Sequence, residues 1–549
     1  MHDMTQGPIG RHLLRMSAPI ALGMLFQTLY VLVDLYFVAQ LGDAAIAGVA
    51  TAANLQFIIM AATQVLGVGT MALIAQAAGR KDQPDANLVF NHSLVLAMIA
   101  MLVTLVGGYL VIGPYMSSVG ADQRTADAGA EYLRWFLPGL ALQFSLIAMG
   151  SALRGTGINK PSLIVQMLTV LMNALLAPIL IAGWLTGKPL GIAGAGLATS
   201  LSVTFGVVLM WIYFHKLEKY VAIDRSLLGA RLDVWKRILA IGLPPGGEFA
   251  LMFCYLAIIY WVIRHFGAEA QAGFGVGSRV MQAIFLPAMA VAFATAPIAG
   301  QNVGGGKHDR VRETFKASVI LGSSIMIVLT LICQLKPEWF VHFFTKDQAV
   351  LAVAATFLHI ISWNFVAQGI IFTCSGMFQA LGNTLPGLMS SATRLVTFAI
   401  PAIWLSTRPG FELKQLWFLS VATVTLQAVT SLFLLRNQFQ RRLGAKAAVA
   451  GRATSRRRNW PRRRNRLVSA CSVTVATERN QSCFSSKPGR VESHNAGTAN
   501  VTSRVALLMS PGSVLPSAWN MPEHVKMIPC ATKFHEMMCR NVAATASTA

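Results

Sequence analysis

Residues 13–41 read LLRMSAPIALGMLFQTLYVLVDLYFVAQL, a run of about 29 residues that is nearly all apolar and holds a single carboxylate, Asp34. As a helix this run is roughly 43 Å long at 1.5 Å per residue, enough to cross a hydrocarbon core of about 30 Å with tilt. A carboxylate inside such a helix costs several kcal/mol unless it is paired, protonated or wetted by a cavity. Asp34 is therefore the first candidate functional residue. The same pattern restarts 225 residues later.

The composition fits a span of this kind. The 549 residues are 54% hydrophobic and 12% charged, against about 25% charged in soluble domains, so the chain reads as a polytopic membrane protein. MHDMTQGPIGRHLLR leads straight into the first segment, which is too long for a signal-peptide core, so no cleavable signal is expected. The seven cysteines lack metal-site spacing, and Cys254, Cys333 and Cys374 read as core residues. The formal charge of +23 is uneven: residues 451–549 hold 15 Lys and Arg against 4 Asp and Glu.

Twelve apolar segments are long enough to span: about 13–39, 45–75, 88–112, 128–150, 162–184, 191–214, 238–263, 270–299, 315–335, 349–376, 387–406 and 414–435. The fold class is thus an all-α polytopic membrane protein. The expected divisions are an N-terminal six-helix lobe (1–214), a linker loop (215–237), a C-terminal six-helix lobe (238–440) and a basic, disordered tail (441–549) that could lie at anionic headgroups. With a cytoplasmic N-terminus, inside loops hold roughly twenty basic residues and outside loops about seven, which puts both termini in the cytoplasm.

The repeat is the strongest non-local signal. At an offset of 225, Pro19 matches Pro244, Gly42 matches Gly267, Gln76 matches Gln301 and Gly79 matches Gly304; so do Gln143 and Gln368, Gly157 and Gly382, Pro161 and Pro386. Six spans per half return the chain to its starting face. The halves are therefore parallel repeats about an axis along the membrane normal, with a central cleft between them where transporters place their sites.

No nucleotide-driven motor is expected: GGGKHD at 304–309 has neither the spacing nor the strand context of a phosphate loop, and no HExxH metal motif occurs. Cofactors and metals are accordingly expected to be none, and transport would run on an ion gradient. Asp34 suits H⁺ or Na⁺, with Gln27, Tyr30, Gln143, Asn173 and Thr199 as uncharged partners in the same half. The second half has Ile259 at the repeat position of Asp34. It offers instead Glu248 and Arg394, roughly 15 Å and 12 Å deep from the same side and so candidates for a charge pair. Arg279, at the repeat position of Asn54, could line the cleft or act as counter-ion to Asp34. Pro19 and Pro244 are candidate hinges, because proline frees a carbonyl and kinks a helix.

The chain resembles the multidrug and toxin extrusion (MATE) family over about residues 10–440. The resemblance is carried by VDLYFVAQLG at 33–42 with FGAEAQAGFGVGSR at 266–279, and IAQAAGRKD at 74–82 with IAGQNVGGGKHD at 298–309. ALRGTGINKP at 152–161 with MFQALGNTLP at 377–386, and GIAGAGLATSLS at 191–202, complete it. It implies twelve helices in two lobes, alternating access, and export of organic cations or drugs in exchange for H⁺ or Na⁺. It also implies an inner-membrane protein, taken here as a monomer without nucleic-acid partners. Asp34 matches the family's coupling acid, and Asn173 and Thr199 match positions near it. In many members the fifth helix reads Asn, three residues, then Asp or Asn; here it reads Asn173-Ala-Leu-Leu-Ala177, which tilts the expectation toward H⁺. The alternatives are a flippase or exporter of a lipid-linked or endogenous metabolite with a cationic cleft, and a membrane receptor or enzyme.

Overall fold

The computed structural model describes residues 1–444 apart from 121, 186, 219, 343 and 346, and leaves out the side chains of residues 30–33, 35, 443 and 444. The expectations for the tail beyond 444 fall outside the described residues. The described chain is helical, without strands. The first half comprises α1 (Ile9–Ala39), α2 (Asp43–Arg80), α3 (Gln83–Val119), α4 (Gln123–Gly155), α5 (Lys160–Ile181) and α6 (Gly191–Lys216). The second comprises α7 (Leu232–Ile263), α8 (Ala268–Gly304), α9 (His308–Leu335), the short α10 (Glu338–Val341), α11 (Gln348–Ile361), α12 (Phe365–Leu381), α13 (Leu385–Ser406) and α14 (Leu413–Gln438). A 3₁₀ turn, Ser362–Asn364, joins α11 and α12 into one span, Gln348–Leu381. Eleven helical segments are long and apolar enough to cross a membrane, and α1, at 31 residues, makes the twelfth. Twelve spans in two lobes follow.

Polar residues at the segment ends start the helices. Asp82 caps α3 by accepting from the Asp85 amide at 3.1 Å, and Asp122 caps α4 by accepting from the Thr125 amide at 2.7 Å. Each caps an amide that the helix itself leaves unpaired. Apolar side chains such as Leu102, Val103 and Leu110 on α3, and Ile320, Val328 and Leu331 on α9, are exposed. Stripes of this size suit lipid rather than water.

The repeat is visible in backbone detail. Gly42 and Gly267 start α2 and α8 at φ 98° and 91°, and Gly157 and Gly382 follow α4 and α12 at φ 81° and 67°. These left-handed conformations are open to glycine and strained for other residues, which is why glycine recurs at both pairs. Hydrogen bonds repeat even where the residue type changes. Asn159 Nδ2 donates to the Met16 carbonyl at 3.3 Å, and Thr384 Oγ1, at the repeat position, donates to the Ile241 carbonyl at 2.6 Å.

The lobes meet at the face where α1 begins and α14 ends, called here the terminal face. There Gly242 lies against the Val65 carbonyl and Gly69 against that of Ile238. Arg237 at the start of α7 makes a two-pronged ion pair with Asp85 at the start of α3, both contacts 3.2 Å. In the opposite halves of α2 and α8 the repeat-related Asn54 and Arg279 are both exposed. The helices thus converge at the terminal face.

Two sequence expectations shift. Helix α7 begins at Leu232, so the linker is shorter than 215–237 and runs from 217 to 231. It is docked on α3: Asn91 donates to Ala222 O and accepts from Asp224 N, and Asn87 accepts from Ala222 N, each at 2.9 Å. Cys333 and Cys374 are buried as expected, but Cys254 is exposed. It stands on the flank of α7 with Met252 and Phe253, which are also exposed.

Candidate functional site

Asp34 lies five residues before the end of α1, away from the terminal face. Helices α1 and α5 both run away from the terminal face, in a fixed register. Asn159 reaches Met16, and seven residues further along each helix a Cβ at Gly23 would come 2.7 Å from Gln166 Oε1. Continuing that register sets Asp34 level with Ala177, and Asn173 one turn, roughly 6 Å, nearer the terminal face.

Asn173 is fully buried, and its Nδ2 donates to Thr199 Oγ1 of α6 at 3.4 Å. Its Oδ1 is buried and unpartnered, as is Asp34 Oδ1, among the described residues. Each buried acceptor left unsatisfied costs about 1–3 kcal/mol, so the pair of oxygens favours a bound proton or a small cation. The side chain of Tyr30 lies outside the described residues. Gln143 is half-buried on α4, whereas Gln27 is exposed on α1. Among the described residues, Ala177 supplies no second acid or amide level with Asp34.

In the second lobe Glu248 and Arg394 sit near each other without forming an ion pair among the described residues. Arg394 Nη1 donates to Gln427 Oε1 at 3.4 Å, and its guanidinium lies 4.3 Å above the Tyr255 ring. Its Nε is buried without a partner. Glu248 faces a water-sized cavity lined by Ser375, Phe378, Ser391, Gln427 and Ser431. Gly387 on α13 makes room for it: a Cβ there would lie 2.5 Å from Glu248 Oε1. Ser375, Ser391 and Ser431 escape a search by charge, because serine in a membrane helix usually bonds its own backbone. Arg279 is exposed on α8, remote from any ion pair among the described residues. Ile259, at the repeat position of Asp34, is buried. Pro19 lies inside α1, and Pro244 together with Pro245 inside α7.

Comparison with known proteins fits this geometry. The MatE family model matches twice, over residues 19–179 and 244–405, starting 225 residues apart like the internal repeat. The chain is 25% identical over 407 residues to an FAD transporter of Shewanella oneidensis, covering 73% of this chain and 88% of that protein. It is 24% identical over 453 residues to the multidrug export protein MepA of Staphylococcus aureus, covering 80% and 96%. Among solved structures, a MOP-superfamily transporter from Pyrococcus furiosus superposes with a TM-score of 0.75 at 23% identity, covering 80% of this chain and 98% of that one. The outward-facing conformation of a multidrug-resistance MATE transporter also scores 0.75, at 24% identity and with the same coverage. Twelve membrane helices in two repeated lobes, each lobe matched in turn, make this chain a member of the MATE family of multidrug efflux transporters.

Proposed function

We propose that this protein is a secondary antiporter that exports amphipathic organic cations against an inward gradient of H⁺ or Na⁺, with Asp34 as the coupling carboxylate. The observation that carries the reading is the pair of buried oxygens without partners among the described residues, Asp34 Oδ1 and Asn173 Oδ1, in the half of the first lobe away from the terminal face. The terminal face is cytoplasmic by the distribution of basic loops, the membrane is the inner membrane, and the working unit is the monomer.

In the cycle, an ionised Asp34 draws a proton or Na⁺ from the outer side. Neutralising it removes the attraction for the organic cation, which leaves, and α1 rearranges about Pro19, where a backbone bond is missing. The lobes then part at the terminal face, the ion leaves inward, and a new substrate cation takes its place. Gln143 and Thr199 supply polar contacts to the loaded ion. The multidrug relatives support an organic-cation substrate.

Export of a fluorescent organic cation from cells making wild-type or Asp34→Asn protein tests this, with the pH and Na⁺ gradients collapsed separately. Loss of export in the variant, and on collapse of one gradient only, is expected. Export by Asp34→Asn that still follows an ion gradient would sink the proposal. A second reading, export of an anionic endogenous metabolite, is favoured by the exposed Arg279 on α8 and by the FAD transporter among the relatives. Release of FAD or of a lipid-linked phosphate by the wild type, without cation export, would select it.

A further inference from the structure

Helices α4 and α12 end alike. At the end of α4, Thr156 N bonds Ala152 O, Gly157 N bonds Arg154 O and Ile158 N bonds Leu153 O. At the end of α12, Gly382 N bonds Gln379 O and Asn383 N bonds Phe378 O. This pattern leaves Gly155 O and Ala380 O, which are repeat-equivalent, without a partner in their own helix end. A helix end leaves such carbonyls to be satisfied from elsewhere. Here the partners come from the opposite lobe. Gln76 Nε2 of α2 donates to Ala380 O at 2.9 Å, and Gln301 Nε2 of α8 donates to Gly155 O at 3.1 Å. The two glutamines are themselves repeat-equivalent, so the bonds are related by the axis between the lobes.

The backbone reinforces the pairing. Gly79, one turn after Gln76, packs on the Gln301 carbonyl so closely that a Cβ would overlap it, and Gly304 packs on the Gln76 carbonyl in the same way. Gln301 carries one bond more: its Oε1 accepts from the Met4 amide at 3.0 Å, in the amino-terminal segment that is also tied to the first lobe by His2 N bonding Thr156 O. Gln301 is fully buried, and Gln76 half-buried.

We infer that Gln76 and Gln301 form a two-fold clasp that holds the terminal face shut, and that breaking and remaking it sets the balance between the two access states of the transporter. The two glutamine-to-carbonyl bonds cross between lobes, so both are lost when the lobes part there; the Met4 segment is tied to the first lobe through Thr156 and to the second through Asn302, Lys307 and Arg310. The clasp acts whichever ion drives transport and whatever the substrate is.

Spin labels on Lys81→Cys and Glu313→Cys test this. Both positions are exposed at the terminal face, one on each lobe, and the labels are read in the full-length protein with its seven native cysteines replaced. With the clasp intact, a short inter-label distance dominates. A net hydrogen bond is worth about fivefold in an equilibrium. Gln76→Ala and Gln301→Ala, each of which loses one bond between the lobes, therefore each raise the population open at the terminal face about fivefold. Gly79→Ala and Gly304→Ala wedge the lobes apart and shift it the same way. Gln76→Glu and Gln301→Glu preserve volume, so they report even if the alanine variants fail to fold. As carboxylates facing carbonyls they open the face, and on acidification, regaining a donor, they close it. An inter-label distance that stays short in the glutamate variants at neutral pH, and in Gly79→Ala, overturns the clasp.

Discussion

Two half-buried carboxylates lie within the spans, Asp34 in α1 and Glu248 in α7, and only Asp34 is assigned to the coupling site. One titrating acid per cycle fixes the stoichiometry at one H⁺ in for one monovalent organic cation out, an electroneutral exchange. Each pH unit is worth about 1.4 kcal/mol, so in proteoliposomes the limiting concentration ratio of the organic cation rises tenfold per unit of ΔpH. It is unaffected by membrane potential clamped with potassium and valinomycin. If Na⁺ is the driver, the same tenfold applies per decade of Na⁺. A second coupled charge would instead give a hundredfold per unit, plus about fiftyfold per 100 mV, from the 2.3 kcal/mol that one charge gains across that potential. Asp34→Asn should flatten the slope to zero while Glu248→Gln leaves it at tenfold. A hundredfold slope that Glu248→Gln reduces to tenfold would refute the single-carboxylate reasoning and make Glu248 the second ion carrier.

Ala177→Asp should add a carboxylate level with Asp34 and give Na⁺ a second ligand; Na⁺-dependent export, compared with wild type over a Na⁺ series, checks it. Asn91→Ala should free the linker from α3 at a cost of about 2 kcal/mol, since the side chain holds Ala222 and Asp224; faster proteolysis within residues 217–231 would show it. The amino-terminal segment should loosen on acidification. Burial, with Arg15 and His12 nearby, holds the His2 imidazole below its ordinary value of 6.5. Its neutral form therefore stabilises the docked segment above about pH 6.5, and that contribution is lost as pH falls through the lowered value. Hydrogen exchange of residues 1–8 at pH 7.5 and pH 5 reads this directly, with equal protection at both counting against it.

The spans and the two-lobe architecture were legible, and Asp34 stood out as a candidate, because each leaves a one-dimensional trace: apolar length, a fixed offset, a lone charge. Depth is also one-dimensional, and it suggested Glu248 and Arg394 as partners. Which way a side chain points around its helix is not, and Arg394 turns to Tyr255 and Gln427 instead. Cys254 was misplaced for the same reason: an apolar segment does not reveal which flank faces outward. Gln76 and Gln301 stood out only as repeat markers, because their work is done on carbonyls about 150 to 300 residues away in sequence. The docking of the linker on Asn87 and Asn91 was hidden because two asparagines at the edge of an apolar run read as its boundary.

That docked linker bears on how the protein is made. Up to Asp224, its hydrogen bonds among the described residues run to α3, to Tyr213 of α6 and within the loop, so those partners are already synthesised when that stretch leaves the ribosome. Chains are built from the amino end, and early units fold while later ones are still being translated. The first six spans and their trailing loop can therefore assemble as a finished half before α7 exists. What that half lacks is a donor for the Gly155 carbonyl and an acceptor for the Met4 amide, and one later residue, Gln301, supplies both. The newborn half carries an unfilled address that only its own second half completes.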